Sequence, residues 1–114
     1  MSVLVTLDEA KEYLRVDSSD EDGLIDILLA ASKQLCADVA RLDADKWAII
    51  AEGAEDESET YTDEELERIQ NIVKVAILYA LGYMFEHREE ADHHDLTITL
   101  RNLLFAIREG VYLS

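Results

Sequence analysis

Residues 62–88 read TDEELERIQNIVKVAILYALGYMFEHR, and their spacing predicts one long capped helix. Thr62 and Glu65 occupy the two ends of a capping box, in which each side chain accepts the other residue's backbone N–H. Leu66, Ile69, Ile72, Val73, Ala76, Tyr79, Ala80, Tyr83 and Met84 recur at helical intervals. Ile77, Leu81 and Phe85 add a second apolar face. Carried to Arg88, such a helix is about 40 Å long at about 1.5 Å per residue. A helix apolar on two sides needs cover from more than one direction. Either the rest of the chain or a neighbouring subunit can supply it. Tyr79, Tyr83, Met84 and Phe85 are therefore candidates for core or subunit contacts.

The segments before it are also helical in pattern. Thr6 and Glu9 form a second capping box, with Val5 placed to staple onto Ala10. Leu7, Ala10, Tyr13 and Leu14 share a face of a short helix that ends near Arg15. An acidic turn follows, Asp17 to Asp22, in which Ser18 or Ser19 can cap the next helix. That helix, about 20–41, carries Leu24, Ile25, Leu28, Leu29, Ser32, Leu35, Cys36 and Val39 on a broad apolar face.

The interval 42–61 reads as an irregular acidic loop, with a helical turn or a short strand at 46–50. From Trp47 to Glu67 there are nine acids and no basic residue. Glu52, Glu55, Asp56, Glu57, Glu59, Asp63 and Glu64 are thus the candidate acidic surface, for a channel or a partner. After a polar connection, Asp95 is placed to cap a last helix using Leu96, Leu100, Leu103, Leu104 and Ile107. Gly110 terminates it, and Val111, Tyr112 and Leu113 form an apolar tail able to dock on something. The expected fold is an all-α bundle in one domain, with two long amphipathic helices and shorter ones at each end.

Composition narrows the function. The 114 residues carry 10 Lys and Arg against 26 Asp and Glu, a net charge of −16. Affinity for nucleic acid comes largely from cations neutralising phosphates, so a phosphate-gripping surface is not expected. Such a surface instead repels DNA, mimics it, or docks a basic partner. Cys36 is the only cysteine, and it falls among apolar positions of a helix as a small core residue. Neither a signal peptide nor a membrane-spanning run is legible.

No catalytic constellation emerges. Glu90 and His93 have the spacing of half a di-iron site, but the second Glu-x-x-His that such a bundle requires is missing. Asp17, Asp20 and Asp22 depart from the calcium-loop pattern and are better explained as helix-start acids. With no Gly-rich phosphate loop either, neither metal nor cofactor is expected, and the chain does not read as an enzyme.

The order of these elements resembles the head–tail connector (adaptor or head-completion) proteins of tailed bacteriophages, some of which carry a DNA-packaging label. The resemblance rests on Thr6-Leu7, Glu9-Ala10-Lys11, Tyr13-Leu14-Arg15-Val16-Asp17 and the acid-rich helix start after them. It also rests on the long helix through Tyr83, Glu86, His87, Arg88 and Glu89, then Leu103, Leu104 and Arg108. It implies a non-enzymatic virion protein at the head–tail interface, assembled in the host cytoplasm. It further implies a ring of roughly a dozen copies, closed by a repeated heterologous contact. The implied partners are other copies, the portal protein and a tail-completion or stopper protein, with DNA passing through unread. An acidic DNA mimic, or a helical adaptor for a basic partner, is the competing expectation.

Overall fold

The computed structural model describes residues 4–87 and 94–105. Five helices account for most of them: α1 (Leu7–Leu14), α2 (Asp22–Ala40), α3 (Ala44–Ala51), α4 (Asp63–Glu86) and α5 (His94–Leu103). There is no strand among the described residues. The body measures 44 × 31 × 19 Å, so its thin dimension is about two helix diameters.

Both predicted capping boxes form. Thr6 Oγ1 accepts the Glu9 N–H at 3.2 Å, and Glu9 Oε1 accepts the Thr6 N–H at 3.0 Å. The Thr62–Glu65 pair repeats this at 3.1 and 3.0 Å. Val5 is buried just before the first box, and Ala10 just after it.

α1 and α2 end as the pattern predicts, but by a device without glycine. Arg15 and Arg41 both turn left-handed, at φ 59° and 58°. The next N–H then reaches back, from Val16 to the Lys11 carbonyl and from Leu42 to the Ala37 carbonyl. Val16 and Leu42 tuck against the core just past each end, completing a Schellman-type stop.

Four boundaries differ from the sequence reading. Neither Ser18 nor Ser19 caps α2; Glu21 holds the N-cap position without a side-chain hydrogen bond. The Ser19 carbonyl instead accepts the Asp22 N–H, so the chain makes one more turn before the helix begins. Lys11 then reaches Asp22 at 2.8 Å and ties the end of α1 to the start of α2. The interval 42–61 is not irregular throughout, because α3 occupies 44–51. Asp43 caps it by accepting the Lys46 N–H at 2.8 Å, a signal hidden among the neighbouring acids. Asp95 lies in the first turn of α5 and does not cap it, since the helix already includes residue 94. α4 closes at Glu86; Arg88 and the connection after it lie outside the described residues.

Most of the two apolar faces of α4 is covered from within the chain. α2 packs along it most extensively, and α1, α3 and α5 each add a contact. Ile69, Val73, Ala76, Ile77, Ala80, Leu81 and Met84 are all buried. Opposite them lie Ile25, Leu29 and Cys36 of α2, and Leu96, Leu100 and Leu104 close the core from the α5 end. Ser32, the one fully buried polar side chain among the described residues, is satisfied by donating to the Leu28 carbonyl at 2.8 Å, with Met84 Sδ 3.9 Å away.

Polar ties hold the small helices in place. Lys74 donates to Glu9 at 2.6 Å, joining α4 to α1. Gln70 Nε2 donates to the Ile50 carbonyl at 3.1 Å and fixes the end of α3 on α4. The Leu4 N–H donates to the Ala51 carbonyl at 3.0 Å, which anchors the chain start on the same helix end.

Candidate interaction surfaces

Two surfaces stand out, one aromatic and one acidic. The aromatic one is a groove of about 490 Å³ between α1 and the last turns of α4. Tyr13, Leu14 and Arg15 form one wall, and Tyr79, Gly82, Tyr83, Phe85 and Glu86 the other. Tyr13 and Tyr79 are half exposed, and Val75 extends the apolar strip one turn towards the start of α4. Gly82 lets the Tyr13 ring lie close, since a Cβ there would stand 3.1 Å from Tyr13 Cε2. The Tyr83 ring also stacks on His87, with centroids 4.4 Å apart.

The aromatic candidates from the sequence therefore occupy different environments. Met84 belongs to the core, against Ser32. Tyr79 is a surface residue of the groove. Tyr83 and Phe85 bridge the two, packing on the core with one side and lining the groove with the other. Tyr13, expected on the apolar face of α1, stands half exposed instead, and Arg15 and Gly82 had no surface role in the sequence reading. Leu7, Ala10 and Leu14 complete the inner face of α1, so Tyr13 is left at its border. An interior glycine in a helix was the available signal for close approach at position 82.

The acidic surface runs from the end of α3 to the start of α4. Glu52 closes α3, Glu55 to Glu59 form the loop, and Asp63 and Glu64 lie in the first turn of α4. All are exposed except Asp56, which is half-buried. Its carboxylate accepts the Tyr61 and Thr60 N–H groups, each at 2.8 Å. These bonds hold its pKa below the ordinary value, the Tyr61 bond contributing most. The loop thus folds around one of its own acids, while the others point into solvent. An open groove of about 410 Å³ lies between this loop and α3, with Asp43, Asp45, Glu55 and Glu57 around a floor of Ala48, Ile49 and Ala54. Asp63 and Glu64 sit at the positive end of the α4 dipole, which favours them there whatever else they do.

Cys36 is buried, and desolvation pushes its thiol up to about 12, so no thiolate forms near neutral pH. Among the described residues no group of three His, Cys, Asp or Glu side chains is placed to hold a metal. None of the described helices is long and apolar enough to cross a membrane. The Glu90–His93 pair and the Val111, Tyr112, Leu113 tail lie outside the described residues.

Comparison with known proteins gives a match along nearly the whole chain. The family model for phage gp6-like head–tail connector proteins covers residues 4–112. No curated protein and no solved structure matches the chain.

Proposed function

Because this chain belongs to the phage gp6-like head–tail connector protein family, a family of structural virion proteins and not a class of enzymes, we propose that it is one subunit of a ring beneath the portal. In this reading roughly a dozen copies close through a repeated heterologous contact. The ring extends the DNA channel and offers its far side to a tail-completion or stopper protein. The observation that carries the reading is the family match, which spans all five helices.

The physics of the chain supports it. A channel that lets DNA slide must not bind phosphates, and a net charge of −16 repels them. The exposed carboxylates of 52–64 are the best candidates for the lumen or for a basic docking partner. Copies of so acidic a chain also repel one another, so assembly requires apolar contact or a template. The aromatic groove, with exposed Tyr13 and Tyr79 beside Leu14 and Phe85, is a partly apolar surface that the fold leaves uncovered. A DNA mimic explains the charge equally well but not the family match.

The test is negative-stain electron microscopy of the purified chain over a concentration series at moderate salt, alone and with portal protein. Closed rings with a hole wide enough for duplex DNA are expected. A chain that stays monomeric in both settings refutes the ring.

A further inference from the structure

We propose that neighbouring copies join by seating the exposed ridge of α5 from one chain in the α1–α4 aromatic groove of the next. This rests on the self-assembly reading above and names the contact that carries it.

The ridge is defined by what α5 does not need for its own fold. Leu96, Leu100 and Leu104 form its buried face. Ile98, Arg101 and Asn102 follow at three- and four-residue spacing and are all exposed, and Phe105, just past the end of α5, is exposed beside them. Ile98 is 41% and Phe105 47% exposed, so two large apolar side chains stand uncovered on this side of the chain. The groove is concave and aromatic, with Tyr13 50% and Tyr79 40% exposed. Ridge and groove are different surfaces of one chain, and α1 and α5 share no extensive contact. A copy that offers its ridge to one neighbour and its groove to another pairs head-to-tail, and such a contact builds a ring when its rotation closes.

Charge selects this occupant. A contact between two chains of −16 must avoid setting acid against acid. The groove carries one charge of each sign, Arg15 and Glu86. The exposed side of α5 also carries one of each, Asp95 and Arg101. Glu86 is the last residue of α4, whose final turn has no basic residue, so an anion sits at the negative end of the helix dipole. The guanidinium of Arg101, which makes no ion pair with the described residues, answers both that carboxylate and that helix end. Arg15 is correspondingly available to Asp95. A ridge with Arg101 at its centre suits the groove better than the uniformly acidic 52–64 surface does.

Charge exchange tests the pairing. Arg101→Glu and Glu86→Arg are both at exposed positions, and circular dichroism should report an unchanged fold. Each alone should raise the concentration for half-assembly about tenfold, and the double variant should recover most of that loss. In parallel, the Tyr79→Cys and Phe105→Cys variants are mixed and treated with a short bis-maleimide, with buried Cys36 unreactive in the background. Cross-links in the mixture, and none in either variant alone, are expected. Rings without this cross-link, or without charge rescue, overturn the contact and leave the ring reading standing. Cross-linking of Tyr79→Cys to portal protein instead also overturns it, by giving the groove another occupant. Monomers in every condition overturn both.

Discussion

Replacing Gly82 by alanine separates the stability of α4 from the shape of its groove. Gly82 lies in the body of α4, where alanine is favoured over glycine by about 1 kcal/mol. Against this, the new methyl would meet Tyr13 Cε2 at 3.1 Å, so the ring must retreat by a few tenths of an ångström. The ring is half exposed and nothing pins its outer edge, so the retreat costs less than the helix gains. The expected net effect is stabilisation by about 0.5 kcal/mol, or a Tm rise of about 2–3 °C for a chain of this length. The assay is thermal and urea unfolding followed by far-UV circular dichroism, at a dilution that keeps the protein monomeric. A double-mutant cycle with Tyr13→Ala isolates the ring. In that background Gly82→Ala should express its full gain of about 1 kcal/mol. Destabilisation beyond about 1 kcal/mol in the wild type, reversed by Tyr13→Ala, would show that the ring is held rigidly. Destabilisation in both backgrounds would refute the helix argument itself. The same methyl raises the groove floor, so Gly82→Ala should assemble more weakly although it folds more stably.

Further outcomes follow from the core, the caps and the thiol. Leu81→Ala empties a fully buried site between α4 and its neighbours, and should cost roughly 2–5 kcal/mol in urea unfolding. Glu9, Asp56 and Glu65 all have lowered pKa values in the fold, through Lys74, the Tyr61 N–H and the Thr62 N–H respectively. Their contribution is complete above the ordinary values of 4.5 for Glu and 3.8 for Asp, and is lost as pH falls through the lowered ones. Relief of self-repulsion on protonation has the opposite sign, so the informative quantity is a difference between proteins. Asp56→Asn should flatten the acid limb of urea midpoint against pH, and a limb parallel to wild type would refute the Asp56 assignment. Cys36 should resist maleimide at neutral pH in the native protein and react at once in denaturant. Fast native labelling would contradict its burial and its raised pKa of about 12.

The sequence by itself determined four of the five helical segments, all but α3, and the starts of α1 and α4. The Thr6–Glu9 and Thr62–Glu65 boxes form because a cap is settled within three residues of chain. The apolar periods of α2 and α4 place their buried faces, because side-chain direction along a helix is local geometry. α3 was obscured because Asp43, its cap, stands in a run where acids are common and carry little positional information. The left-handed stops at Arg15 and Arg41 were legible as endings but not as a mechanism, since the apolar residue after each needs a core to tuck into.

Only the tertiary structure decided what the apolar excess of α4 is for. Four other helices surround α4, so most of that excess is core. Met84 is thereby assigned inward and Tyr79 outward, although both fit the same helical period. The groove exists because residues near positions 13 and 82 are brought together by the packing of α1 on α4. A contact between segments so distant in sequence leaves no periodic trace, and the balance of packing across the whole bundle creates it.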